Sequence, residues 1–477
     1  MERFVGRAAE LDYLKQAYER EGSGLLVVYG SRGVGKTRLL REFCKDKKHS
    51  YYLGRACSER EQRGQWAAEL NEALHHEGVG KYPEWEELFS AAVNSAGGRT
   101  HGAEGRTQEG GEQAHDAGVR TYDGEKRVLV IDEFHFLVKG SDAFFQELVR
   151  FLDGRLLSRS VLAVLVTSAS GWVENSMVKK LREGASSISN FLKLRELSFA
   201  AVRELFPEFS ERDALGCFAV LGGVPGYWKN LSGELGIREN MIKNILSKES
   251  RLYSEIIVFL EQELREPAVY NTILAAMARG CGKLNDIYRH TGFLRAKISV
   301  YLKNLMELNL VEKFYSYETD GQKNAQKGVY RILNPYMRFY FRYLFPNQSA
   351  LELLTAEDFY REKIESSFPL FVEEAYRQIC RERIGREYRA AGEWLGKAGS
   401  LDVVASDGQG GFCVAACFYS KEVTAEDYEW LRFSMKKAKI KCDDVRIYGE
   451  QGFDDAVVKA AKAGKVRLMQ IMDKEGR

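Results

Sequence analysis

Eight consecutive residues, Gly30-Ser31-Arg32-Gly33-Val34-Gly35-Lys36-Thr37, spell G-x-x-x-x-G-K-T. Glycines at this spacing let successive backbone N–H groups converge on phosphate oxygens. The lysine ammonium then reaches the terminal phosphates, and the threonine hydroxyl joins a Mg²⁺ shell. Arg38 continues the same stretch into the helix that should follow. Further along, Val128-Leu-Val-Ile-Asp-Glu133 ends an apolar run in two carboxylates. Asp132 is placed to hold the metal through water, and Glu133 to orient and deprotonate an attacking water. Thr167 and Ser168 close a third apolar run. There a polar side chain such as Ser168 can sense a terminal phosphate, or can simply form a turn.

These groups work only if strands and helices present them on one edge. Gly24 to Tyr29 is a short continuous apolar run, as expected for a parallel strand covered on both faces. From Thr37, Leu39, Leu40 and Phe43 recur at helical spacing, giving the order strand, glycine-rich turn, helix. Val128 to Ile131 and Val161 to Val166 predict two more buried strands, hence an α/β, doubly wound parallel sheet of the P-loop NTPase kind. Residues 94–125 interrupt it: 8 of these 32 residues are Gly, and Val119 is the only Val, Ile, Leu, Met or Phe. A segment with so little apolar material reads as a flexible insertion.

With Phe4-Val-Gly-Arg7 and Glu10-Leu11 ahead of the loop, Asp132-Glu133-Phe134, and Leu221-Gly-Gly-Val-Pro225 after it, the sequence resembles the archaeal-type ATPase family of the AAA/STAND group. The resemblance implies ATP and Mg²⁺ as cofactors, Arg7 and the lid residue Pro225 close to the adenine, a winged helix after the lid, and a C-terminal domain similar to PD-(D/E)XK nucleases. One departure concerns rate. Members carry an Arg directly after a Gly downstream of the third strand, and the matching place here is Gly184-Ala185, with Arg182 and Arg195 as substitutes. An arginine finger supplies about 10³–10⁵ in rate, so hydrolysis is expected to be slow or partner-stimulated.

The predicted order is a P-loop ATPase core over 1–197, a helical lid over 198–265, a winged helix-turn-helix over 266–345 and a small restriction-endonuclease-like α/β domain over 346–477. Between 266 and 345 there are 12 Lys/Arg against 6 Asp/Glu, while the whole chain has a net charge of only +2. Ile298, Leu302 and Leu305 predict the buried face of the third helix, which turns Arg295, Lys297, Ser299 and Lys303 outward, as a DNA-recognition helix requires. Lys323 and Lys327 fall on the expected wing. A rigid spacer or protein-docking module has the same pattern.

In the C-terminal domain the resemblance assigns Asp402 and the helix residue Glu373 to a nuclease metal site. Where the family pattern has Glu-Cys-Lys, however, this chain reads Ala416-Cys417-Phe418. Lys421 and Glu422 could replace them only with a shift of register. A degenerate nuclease site, kept for packing or partner binding, is the expectation.

Length, 477 residues, and 45% hydrophobic content fit roughly three packed domains and argue against a disordered or fibrous chain. Eight scattered cysteines without a C-x-x-C pair read as thiols of a reducing compartment. No apolar run approaches the ~18 residues of a membrane span. The expected protein is therefore cytoplasmic, without a membrane, with DNA, a protein partner or a second copy as candidate partners. Three functions follow: an ATPase coupled to a DNA-associated module, an ATP-bound switch or scaffold that does not hydrolyse, and an ATP-dependent nuclease, which Ala416 and Phe418 oppose.

Overall fold

The computed structural model describes residues 4–74, 78–95, 125–138, 143–154, 160–177, 190–264, 266–317, 328–442 and 444–471. Nearly all of the glycine-rich insertion, Arg182, Gly184-Ala185, Lys323 and Lys327 lie outside these residues. The chain forms two compact units, Arg7–Arg195 and Glu196–Arg477 together with the first six residues.

The first unit is a five-stranded parallel sheet. Its strands are β1 (Gly24–Tyr29), β2 (His49–Leu53), β3 (Arg127–Asp132), β4 (Val161–Thr167) and β5 (Asn190–Lys193), in the order β2-β3-β4-β1-β5. The three apolar runs of the sequence are the three central strands. β3 and β4 are buried at every residue. Two strands were not legible because they are edges: β2 buries only Tyr52, and β5 has four half-exposed or exposed residues. An edge strand covered on one side does not need a continuous apolar run. Around the sheet lie α1 (Ala8–Glu19), α2 (Lys36–Cys44), α3 (Glu59–Leu74), α4 (Trp85–Ser95) and α5 (Ala143–Asp153). The core on one side is aromatic, with Trp66 stacked on Tyr52 at 4.4 Å and Phe144 edge-on to Trp85 at 5.0 Å.

The second unit begins with helices α6 (Phe199–Leu205), α7 (Glu211–Leu221), α8 (Pro225–Trp228), α9 (Ile237–Met241) and α10 (Arg251–Glu263). Ser198 and Ser210 cap α6 and α7 by accepting from the N–H groups of Ala201 and Asp213. Then come α11 (Pro267–Ala278), α12 (Leu284–Thr291) and α13 (Arg295–Glu307), followed by the antiparallel pair β6 (Val311–Phe314) and β7 (Val329–Ile332). The C-terminal part packs α14 (Phe368–Ile384) and α15 (Ala425–Ala438) on a mixed sheet of β8 (Ala390–Leu395), β9 (Ser400–Ser406), β10 (Phe412–Phe418), β11 (Asp444–Gly449) and β12 (Arg467–Met469), with α16 (Asp455–Lys462) before the last strand. One apolar core runs from Leu197 through Leu302 and Phe341 to Tyr448. The helices after the sheet, the three-helix segment and the C-terminal sheet therefore share their packing.

The Gly222-Gly223 pair in that unit has a structural reason. Gly222 has φ +62°, and a Cβ on Gly223 would stand 1.9 Å from the Leu197 carbonyl oxygen and 2.7 Å from its nitrogen. Both obstacles are backbone, and the Leu197 N–H donates to the Gly223 carbonyl at 2.8 Å. Gly223→Ala is therefore expected to destabilise the second unit by about 3 kcal/mol, the upper range for overpacking. A urea midpoint that falls for Gly223→Ala but not for Gly80→Ala, where the added Cβ meets open space and the backbone is not left-handed, checks it.

Candidate functional site

β1 delivers the chain to Gly30, whose N–H donates to the Thr167 carbonyl at 3.3 Å. A Cβ on Gly30 would lie 2.3 Å from the Leu194 carbonyl oxygen, so only glycine lets the loop leave the sheet here. Gly33 and Gly35 follow with φ +79° and +102°. Gly35 is the N-cap of α2, with no side chain capping the helix and open space where its Cβ would be. The loop thus presents the uncapped N–H groups of a helix N-terminus in a cradle without side chains. Ser31, Arg32 and Gly33 are exposed, Val34 is buried beneath them, and Arg38 is half-buried.

Lys36 is buried, and its ammonium donates to the carbonyl oxygens of Gly30 at 2.8 Å and Ser31 at 3.0 Å. Burial lowers its pKa, against the attraction of Glu133 and Asp132. The Thr37 hydroxyl donates to Asp132 Oδ2 at 3.1 Å. The loop threonine and the carboxylate at the end of β3 therefore meet, although 95 residues apart. The Tyr51 hydroxyl, one strand over, donates to the same oxygen at 2.8 Å, and the Glu133 N–H donates to Oδ1 at 2.9 Å.

Glu133 has φ +48°, uncommon for a residue with a Cβ. That turn swings its carboxylate onto the end of β4. Oε2 accepts from the Ser168 N–H at 3.0 Å and the Ser168 hydroxyl at 2.9 Å, and lies 3.2 Å from His135 Nδ1. The same His135 nitrogen is 2.9 Å from Thr167 Oγ1. Burial raises the pKa of Glu133, but the bonds from His135 and Ser168 and the charge of Lys36 outweigh it and hold the group at about 2. Glu133 is therefore ionised across the working pH range.

Arg7 donates to the Val34 carbonyl at 3.1 Å and to the Arg195 carbonyl at 2.6 Å, and pairs with Glu10 at 2.9 Å. It thus ties the glycine-rich loop to both points where the chain enters and leaves the first unit. Pro225 belongs to the second unit, as the first residue of α8. Tyr51 and His135 were not singled out in the sequence. Tyr51 sits on an edge strand with no pattern of its own, and only His135's place three residues after Asp132 hinted at a role.

On α13, Ile298, Leu302 and Leu305 are fully buried, and Arg295, Lys297, Ser299 and Lys303 are exposed. Arg295 is braced by Asn285 Oδ1 at 2.9 Å and lies over the Tyr288 ring. In the C-terminal part, Glu373 and Asp402 come together around an arginine. Arg377 Nη2 is 2.6 Å from Glu373 Oε1, and its Nε is 3.4 Å from Asp402 Oδ1. Asp402 Oδ2 accepts from the Cys417 N–H at 2.9 Å. The described residues contain no cluster of three or more His, Cys, Asp or Glu able to hold a metal.

The sheet order, the loop and the carboxylate pair define the first unit as a P-loop ATPase domain. In agreement, residues 4–231 match the ATPase_2 family, an ATPase domain predominantly from Archaea, and residues 340–429 match DUF234, archaeal and bacterial proteins of unknown function. An uncharacterized protein of Methanocaldococcus jannaschii is 23% identical over 411 residues, 84% of each chain. An uncharacterized ATP-binding protein of the same organism is 40% identical over 45 residues, 9% of this chain and 76% of its own. Among solved structures, a Walker-type ATPase of Pyrococcus abyssi superposes with a TM-score of 0.50 at 16% identity, covering 71% of this chain and 96% of its own. No helix among the described residues is long and apolar enough to cross a membrane.

Proposed function

We propose that the protein hydrolyses Mg²⁺-ATP at the Gly30–Thr37 loop and couples nucleotide state to the second unit, acting on or near DNA. The observation that carries this reading is the meeting of Thr37 with Asp132 beside buried Lys36. The residues fit the cofactors. Uncapped α2 amides and Lys36 suit phosphate oxygens, and a hydroxyl beside a carboxylate suits the hard Mg²⁺ ion. When bound, the metal supplies charge neutralisation on the phosphates. Lys36 then exchanges its two carbonyl acceptors for phosphate oxygens, Thr37 and Asp132 hold the metal, and Glu133 orients water and takes its proton. Ser168 and His135 fix where Glu133 points. Ser168→Ala removes one of those bonds and leaves the backbone donor. It is expected to lower kcat about tenfold, the lower end for one hydrogen bond to a charged group, with the Kd for ATP unchanged.

Arg7 supports the coupling, because whatever moves Val34 is felt at Arg195, where the chain passes to the second unit. Residues 198–265 act as the lid, with Pro225 toward the adenine. Residues 266–345 act as a winged helix with Arg295, Lys297, Ser299 and Lys303 facing duplex DNA. Residues 346–477 act as a nuclease-like domain in which Arg377 lies between the two carboxylates a metal would need. An anisotropy titration of duplex DNA between 50 and 200 mM salt tests the DNA contact. Binding must weaken steeply with salt and fall further in Arg295→Ala/Lys303→Ala; no binding at low salt would overturn it.

A second reading, an ATP-bound switch that does not hydrolyse, is favoured by one observation. Glu133 is held by three donors and has a pKa of about 2, which makes it a weak proton acceptor.

A further inference from the structure

The exposed side of α15 unites two features that the ATPase reading leaves unused. Leu431, Ser434 and Ala438 face inward and bury α15 against β9. Opposite them Trp430 is 51% and Phe433 40% exposed. Their rings stack on each other, 5.5 Å apart and 26° from parallel. Large aromatic faces left in water are costly unless something covers them.

The charge around the pair indicates what. From residue 430 to 442 the chain has Arg432, Lys436, Lys437, Lys439 and Lys441 and no Asp or Glu. All five are exposed. Lys437 lies over the Phe433 ring at 5.1 Å, and Arg432 lies near the Tyr428 ring at 5.9 Å and pairs with Glu429 at 3.1 Å, a surface pair that a phosphate would replace. Lys436, Lys439 and Lys441 form no ion pair with a described residue. A protein-binding patch is poor in lysine, because ammonium groups are expensive to desolvate. Aromatic rings set among lysines suit instead a chain that offers flat π faces and a phosphate with each.

We propose that the C-terminal half of α15 is a docking platform for single-stranded nucleic acid, with bases stacking on Trp430 and Phe433 and the phosphates tracking Arg432, Lys436, Lys437, Lys439 and Lys441. Stacking uses only the ring face, so the platform is tolerant of sequence. It is distinct from the α13 surface, to which the function proposed above gives base-paired DNA.

The test is an anisotropy titration of the full chain with fluorescent dT20 and U20, and with a 20-base-pair duplex. Both single strands are expected to bind, about 100-fold more weakly at 200 than at 50 mM salt, from roughly 0.7 counterion per phosphate neutralised. Preference for dT20 or for U20 assigns the natural strand to DNA or RNA. Trp430→Ala/Phe433→Ala should weaken single-strand binding at least tenfold, from stacking per base, and leave duplex binding and the ATP Kd unchanged. Lys436→Glu/Lys437→Glu, which keeps both rings, should flatten the salt dependence. No single-strand binding at 50 mM salt overturns the proposal. So does equal single-strand affinity in the aromatic variant, or a mass that halves in that variant by light scattering, which would make the patch an interface between copies.

Discussion

Lys36→Ala is expected to abolish measurable ATP binding, with the Kd raised about 100-fold or more. In the wild type the ammonium is buried at the loop, satisfied by two backbone carbonyls and drawn toward two carboxylates. Truncating one partner of a buried charged pair costs about 2–5 kcal/mol, or 30- to several-thousandfold in affinity. No neighbour takes over, because Arg7 is committed to Val34 and Arg195. Isothermal titration with Mg²⁺-ATP reads the loss. An unchanged melting temperature for the variant distinguishes loss of the site from loss of the fold, since the lysine makes only loop contacts.

Glu133→Gln is expected to reduce ATP turnover at least 100-fold while the Kd for ATP stays within about twofold. A positioned general base contributes about 10²–10⁴ in rate. The amide keeps the length of the side chain, and its oxygen still accepts from the Ser168 N–H and hydroxyl, so the turn at φ +48° has no reason to change. Only the capacity to take a proton is lost. Steady-state phosphate release beside a nucleotide-binding assay separates the two quantities. If the protein is a switch, turnover is negligible before the substitution and the variant changes little.

The catalytic edge was legible in the sequence because its geometry is carried by residue type. A loop that folds back on phosphate needs glycine, and a carboxylate that meets a metal must end a buried strand. Gly30 to Thr37 and Asp132-Glu133 could therefore be placed without the fold. The three central strands were legible for the same reason, since burial on both faces writes an unbroken apolar run. What escaped were the parts set by neighbours. β2, β5, β8 and β12 are edge or short strands whose patterns are weak, and Tyr51 and His135 gain their roles only from register, when β2 pairs beside β3 and the turn after β3 meets β4. Arg377 was equally invisible: a lone helix arginine becomes the partner of Glu373 and Asp402 only when α14 packs on β9 and β10. The shared core of the second unit could not be read either, because sequence shows where segments change character and not which of them bury one another.

That the loop and the carboxylates form a working hydrolytic site is tested most directly by phosphate release from ATP by the purified full-length protein, with Mg²⁺ and with the metal chelated. The account predicts Mg²⁺-dependent release that chelation and Glu133→Gln each remove while ATP remains bound. ATP bound by Lys36, with phosphate release no faster in the wild type than in Glu133→Gln, would contradict it.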